Sequence, residues 1–393
     1  MAVEMILICI IIVALIGIGL LEYYRYQRVL EKIPVRIHVN GSRGKSSVTR
    51  LIAAGLNSGG LRTYAKTTGS AACLIFPDGS ETPIPRRGPV TIREQFSIIN
   101  NIVRTGADVF VSECMALQPD LQRFLEEKVM RSTIGVITNV RPDHLDIMGP
   151  GLENVAQALA GTIPNNGVLF STEKKHIAHF KNIARKKNTK VIKIPENLYP
   201  SENELGKFSY IEHSENVALA LGVCQYLGIH RNQALQAMWN CTPDPGVLQK
   251  LEFYYKETRC TFINAFAAND VESTQRIIES LQINPQPDNT VIAIVNIRAD
   301  RPQRAKEFSE YIAESLRADK FILTGEMSDR VKKMAKKKSL HEKRITILKN
   351  KSAEDVIKYS IDNDVRKCTI VGVGNIGGMG MDIVNFCASL LQK

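Results

Sequence analysis

"RIHVNGSRGKSSVTRLIAAGL", residues 36–56, runs from an apolar stretch through a glycine-bracketed turn into a helical pattern. The order matters. A strand delivers the chain to a turn whose glycines let backbone N–H groups converge, and the following helix adds the partial positive charge of its N-terminus. Gly41, Ser42, Arg43, Gly44, Lys45, Ser46 and Ser47 therefore form a candidate phosphate-binding loop. Lys45 would bring a full charge to the outer phosphates of a nucleotide, and the Ser46 hydroxyl would hold Mg²⁺. The common G-x-x-x-x-G-K-[ST] spacing asks for glycine at position 39, where this chain has Val39. That departure points away from motors and GTPases and toward a narrower group of ATPases.

Upstream, "MILICIIIVALIGIGLL" (Met5–Leu21) carries no charge over 17 residues, near the lower limit for a membrane-spanning helix. A signal peptide would want a basic start and a small-residue cleavage site, whereas Glu4 precedes this run and "EYYRYQRVLEK" follows it. Tyr23, Tyr24 and Tyr26 suit a membrane interface. Arg25, Arg28 and Lys32 beyond them place the remainder of the chain on the cytoplasmic side. Residues 1–33 thus read as a single-pass membrane anchor with a basic tether.

Downstream, apolar runs at 106–116 and 132–140 alternate with helical patterns at 93–104, 119–130 and 216–228. Alternation of this kind predicts an α/β unit with a mainly parallel sheet. "CTPDPG" (241–246) is the best linker, and beyond it the alternation restarts. The expected domains are the anchor, a P-loop domain over 34–242 and a smaller Rossmann-like α/β domain over 243–393. The net charge of +11 favours anionic partners. The basic run at 330–344 reads as a solvated helix and loop. Sparse aromatics near the basic runs and the absence of a recognition motif exclude nucleic acid. Eight cysteines without a C-x-x-C pair read as reduced thiols.

Two strand ends carry candidate ligands. Glu113 closes "DVFVSE", and "TNVRPDHLDIMG" (138–149) puts Asn139, Asp143, His144 and Asp146 on one loop. Acids and a histidine at the carboxyl ends of parallel strands suit a metal between nucleotide and substrate. "IVGVGNIGG" contains G-x-G-x-x-G at Gly372, Gly374 and Gly377, but too little chain follows for a dinucleotide fold, so it reads as a turn in the last strand. His176 and His179 among lysines read as surface residues.

Taken in order, "VNGSRGKSS", Glu113, "NVRPDHLD", "HSENVALALG", "NAFAAND" and "RADR" resemble the Mur ligase superfamily. The N-terminal apolar segment, "KTTGS", "VSECMA", "FAANDVEST" and "GVGNIGG" are most similar to its poly-γ-glutamate synthase branch. That resemblance spans residues 34–380 and implies an ADP-forming acid–amino-acid ligase, joining glutamates through γ-carboxyl amides via an acyl phosphate. It implies ATP and Mg²⁺ as cofactors, with Lys45, Glu113, His144 and Arg301 catalytic. Ser46, Glu113 and His144 would hold metal, Asn216 would meet the adenine side, and Arg301 would reach the phosphates. Implied partners are glutamate, the growing polymer, the membrane, a small integral-membrane subunit of the PgsC/CapC kind and an accessory export subunit. Self-association stays open. A folylpolyglutamate synthase-like ligase and a membrane ATPase driving polymer export are the alternatives. Two departures stand out: "GLENVAQALAGTIP" lacks the lysine that many Mur ligases carbamylate, and "NAFAAND" differs from the usual pattern, leaving Asn264, Asn269 and Asp270 as open positions.

Overall fold

Parallel strands buried on both faces need near-continuous apolar runs, and this chain supplies two sets of them. A computed structural model describes the chain except residues 1, 69–71, 86–91, 245–246, 267, 269–270, 300–301, 339, 362–365 and 393. Arg301, Asn269 and Asp270 therefore lie outside the described residues. One unit comprises Met1–Thr68, Ala72–Ser201 and His213–Thr242; the other includes Glu202–Glu212 and Pro243–Lys393.

The first unit holds eight strands: β1 (Val35–Asn40), β2 (Thr63–Thr67), β3 (Cys73–Ile75), β4 (Glu81–Pro83), β5 (Val109–Glu113), β6 (Ile134–Ile137), β7 (Val168–Ser171) and β8 (Lys190–Lys193). Their order is β4-β3-β2-β5-β1-β6-β7-β8. Only the β2/β3 and β3/β4 pairs are antiparallel. Its helices include α1 (Ala2–Leu30), α2 (Lys45–Ser58), α3 (Ile92–Arg104), α4 (Pro119–Phe124), α5 (Leu145–Met148) and α6 (Leu152–Ala160). The helix expected over 119–130 is α4 followed by a wider π-helical turn, Leu125–Met130, which ends at Arg131 in the left-handed region. Leu51, Ile52 and Leu56 of α2 are fully buried, each contributing about 1.5–3 kcal/mol over exposure.

The second unit has six strands: β9 (Gln249–Tyr255), β10 (Thr258–Asn264), β11 (Thr290–Asn296), β12 (Lys320–Thr324), β13 (Ile345–Ile347) and β14 (Lys367–Gly374). They are ordered β13-β12-β11-β14-β10-β9, and only β9 is antiparallel to its neighbour. The glycines of the G-x-G-x-x-G run are explained by packing. β14 lies inside the sheet, and a Cβ on Gly372 would fall 2.3 Å from the Phe266 ring. The expected turn falls at Gly377–Gly378, between β14 and the Met379–Ser389 helix, whereas Gly372 and Gly374 lie in the strand itself. His176 and His179 are also corrected: both are half-buried, and His176 Nδ1 lies 3.6 Å from Glu173.

α1 is long and apolar enough to cross a membrane. It continues unbroken to Leu30, so the basic segment expected as a tether is helical, and its last turn is built into the first unit. Tyr26 stacks edge-on against Phe96 with centroids 4.5 Å apart and donates its hydroxyl to Val129 O at 2.7 Å. Leu30 and Ile33 are buried beside Ile99 and Ile102.

Register places His38, Ser112 and Lys66 side by side on one face of the sheet. All three are buried, and the covering helices supply their partners. Lys66 Nζ donates to Gln95 Oε1 at 2.7 Å and lies 2.9 Å from Glu94. His38 Nδ1 meets Glu126 Oε2 at 2.8 Å, while the other Glu126 oxygen accepts from Ser132 N and Oγ. Burial works to strip the His38 proton, but hydrogen bonds with Cys114 and Glu126 outweigh it and raise the pKa to about 10. Because the folded value exceeds the ordinary histidine value of about 6.5, the pair stabilises fully below about pH 6.5. That contribution is lost as pH rises through about 10. In imidazole NMR, His38 is expected to remain protonated at pH 8. Glu126→Ala is expected to cost about 3 kcal/mol near neutrality, with a deficit that shrinks toward alkaline pH in thermal unfolding.

Candidate active site at the carboxyl edge of the first sheet

β1 and β5 end together, Val39 opposite Glu113, so the turn after Asn40 and the Glu113 side chain share the carboxyl edge. This is where open α/β sheets place ligands. Gly41 (φ 138°) and Gly44 (φ 82°) give the turn its shape. A Cβ on Gly41 would lie 1.9 Å from Thr138 Oγ1, and one on Gly44 2.6 Å from Asn216 Oδ1. Asn216, in the first turn of the Ser214–Tyr226 helix, is thus seated against the 41–47 turn itself.

The loop after β6 holds the phosphate loop from outside. Thr138 Oγ1 and Asn139 Nδ2 both donate to Arg43 O, at 2.6 and 3.1 Å. Arg43 N donates to Asn139 Oδ1 at 3.1 Å, and Ser42 N to Asn139 O at 3.0 Å. Ser42 Oγ donates to Arg141 O and accepts from Arg141 N, at 2.9 and 3.0 Å. Further along, Asp143 Oδ1 lies 3.7 Å from Arg43 and 3.8 Å from His144 Nε2. His144, at φ 45°, opens α5.

Lys45, first residue of α2, curls over the loop and donates to Gly41 O at 2.7 Å. Ser46 Oγ donates to Glu113 Oε2 at 2.9 Å, and the same oxygen accepts from Thr68 N at 2.7 Å. Ser47 follows on α2. Among the described residues no three His, Cys, Asp or Glu side chains cluster for a metal. The joined Ser46 and Glu113 oxygens are hard donors suited to Mg²⁺. Asn264 belongs to the second unit, where its Nδ2 donates to Val247 O at 3.2 Å.

Sequence reasoning missed Glu173. One carboxyl oxygen accepts from Val140 N at 2.8 Å and the other from Lys175 N at 2.8 Å, anchoring the 138–144 loop to the end of β7. Burial would raise its pKa, yet the amides of Val140, His176 and Lys175 hold it below the usual carboxylate range. A related signal was available: an acid two residues beyond the apolar run "GVLFS", much as Glu113 ends its own strand. Lys66 and Thr68 stood within "KTTGS" and Thr138 opened "TNVRPDHLDIMG", but nothing in those runs marked them individually. Gly44→Ala is expected to weaken nucleoside diphosphate binding at least about tenfold in calorimetry, because the added Cβ collides with Asn216 and demands a left-handed alanine.

Residues 39–222 match the family described as "Mur ligase middle domain", and residues 250–390 match "Poly-gamma-glutamate synthase CapB C-terminal domain". PGA synthase CapB of Bacillus subtilis (strain 168) is 38% identical over 370 residues, covering 93% of each chain. Capsule biosynthesis protein CapB of Bacillus anthracis is 36% identical over 377 residues, covering 95% of this chain and 80% of that protein. E. coli FolC, solved with ADP and without folate substrate, superposes with a TM-score of 0.68 at 13% identity, covering 94% of this chain and 93% of that one. That last likeness shows the fold. The chain belongs to the CapB family of poly-γ-glutamate synthases, within the Mur ligase superfamily.

Proposed function

We propose that the chain is an ATP-dependent ligase that polymerises glutamate through γ-linked amide bonds for poly-γ-glutamate or capsule synthesis. The observation that carries this reading is the Ser46–Glu113 contact of 2.9 Å beside Lys45, in a chain aligned with CapB over 93% of its length. A γ-carboxylate attacks the terminal phosphorus of ATP, releasing ADP and leaving an acyl phosphate. The amine of a second glutamate then attacks the acyl carbon. It loses a proton as the amide forms, and inorganic phosphate departs.

Both reactants are anionic, so the protein's task is to screen and align charge. Lys45 swings from Gly41 O to the β- and γ-phosphates, while the N–H groups of Gly44, Lys45 and Ser46 at the start of α2 orient them. Ser46 and Glu113 would hold Mg²⁺, with His144 as the further ligand offered by the 138–144 loop. When bound, the ion would neutralise phosphate charge between nucleotide and carboxylate. Asn216 borders the nucleotide at Gly44. Arg301 is assigned to the phosphates on family resemblance. α1 would anchor the chain in the cell membrane with both units cytoplasmic. There it would work beside a PgsC/CapC-like subunit and an accessory export subunit, and tethering would raise their effective concentrations.

The deciding experiment measures ADP release by the full chain in membranes containing the small subunit, with and without glutamate and with hydroxylamine as trap. Glutamate-dependent ADP together with a glutamyl hydroxamate is expected, and Lys45→Ala should abolish both. Glu113→Gln should lower kcat by about 100-fold or more and raise the Mg²⁺ requirement. ATP hydrolysis indifferent to glutamate, with no hydroxamate, would overturn the ligase reading.

A further inference from the structure

The last turns of α1 lie against α3 and the π-helical turn, and their partners advance together. Lys128 Nζ sits 6.0 Å from the Tyr23 ring centroid. Gln27 Nε2 donates to Lys128 O at 3.2 Å, and Tyr26 donates to Val129 O. Arg131 donates to Gln27 Oε1 and lies 3.9 Å from Glu31. Across these pairs the difference in residue number stays between 100 (131 − 31) and 105 (128 − 23). A steady difference marks elements running in the same direction; opposed elements keep a steady sum. α3 agrees, since Tyr26 meets Phe96 while Leu30 and Ile33 pack with Ile99 and Ile102.

α3 and α4 both return the chain to the amino edge of the sheet, where β5 and β6 begin. α1 therefore descends from the carboxyl edge to the amino edge as they do. The six residues of β1 span about 20 Å at 3.3 Å per residue. The same height on a helix takes about 13 residues at 1.5 Å each, which leads from Leu30 back to the neighbourhood of Gly17. The uncharged Met5–Leu21 segment thus leaves the unit level with the phosphate loop and Glu113.

At that level an apolar stripe is exposed. Leu117, on the loop just before α4, and Leu121 and Phe124, three residues apart on the helix surface, are 36%, 41% and 44% accessible. The same offsets set Phe124 opposite residues 19–24 of α1 and Leu121 opposite residues 16–21. The charges beside the stripe, Asp120 and Arg123, pair with each other at 3.0 Å. We propose that the carboxyl edge of the first unit faces the membrane, with Leu117, Leu121 and Phe124 seated in the headgroup–acyl boundary of the bilayer that α1 crosses. Continuity with α1 selects lipid as the occupant. Tyr23, Tyr24 and Lys128 present amphipathic tips at the same height, as interfacial residues do. The inference rests on the proposed anchoring of α1. Its consequence for the reaction is that the nucleotide edge lies at the lipid surface.

The chain has a single tryptophan, Trp239, which makes the test direct. Full-length Trp239→Phe protein would be reconstituted in phosphatidylcholine/phosphatidylglycerol vesicles with brominated acyl chains. One tryptophan would be placed at a time: Ile12→Trp within α1, Leu121→Trp, Phe124→Trp, and Asn165→Trp at the amino edge before β7. Ile12→Trp, Leu121→Trp and Phe124→Trp are expected to lose about half their emission or more, as groups sunk about 5–10 Å into the boundary would. Asn165→Trp is expected to keep its emission. Quenching at Ile12 alone would overturn the orientation and leave the anchor standing. No quenching at Ile12 would overturn the anchor and the orientation with it. Blue-shifted, unquenched emission at Leu121 and Phe124 would mean that a second copy or another protein covers the stripe, which also overturns the proposal.

Discussion

The carbonyl of Arg43 is the point on which the site turns. A buried carbonyl without a donor costs about 1–3 kcal/mol. Thr138 and Asn139 supply two donors to that one oxygen. Thr138 Oγ1 occupies the space where a Cβ on Gly41 would stand, so the glycine and the threonine require each other. The two segments can meet only because β6 pairs directly with β1. Glu173 extends the same constraint one strand further, holding Val140 from β7. Phosphate loop, the 138–144 loop and β7 thus form one hydrogen-bonded body, with His144 carried at its margin.

Beneath this edge the sheet buries charge as well as apolar surface. Lys66 with Glu94, and His38 with Glu126, are balanced pairs completed by Gln95 and Ser132. Such pairs add little net stability but make any misalignment of the covering helices costly, since each stranded charge would be desolvated without a partner. They therefore act on specificity: α3 and the π-helical turn can sit on the sheet in essentially one way. The same two elements receive the end of α1.

Much of this was legible in the sequence because local rules and global fold agree there. Alternating apolar runs and helical patterns indicated two α/β units, and glycine spacing marked the turn between β1 and α2. Strand-end acids are readable wherever a carboxylate stands at or within two residues of the end of a buried run, as at Glu113. Glu173 obeys the same rule, yet its role depends on which strand lies next to β6, and strand order is not a local property. Lys66 was opaque for a related reason: a lysine within an apolar strand reads as an edge residue until α3 supplies Glu94 and Gln95. The tyrosines and arginines after Leu21 suggested a membrane border, but not that Tyr26 and Leu30 would be core residues of the catalytic unit. That knowledge needs Phe96 and Val129, some seventy and a hundred residues away.

The unbroken run of α1 carries its apolar segment into that core without a break in the helix. A stiff rod fixed in a solid body must tilt the body when the rod tilts. Helices longer than the local hydrocarbon thickness respond to thinning by inclining. With α1 anchored as proposed, bilayer thickness would be converted into an angle of the whole first unit, so lipid composition would become a mechanical input and the unit a pointer that reports it.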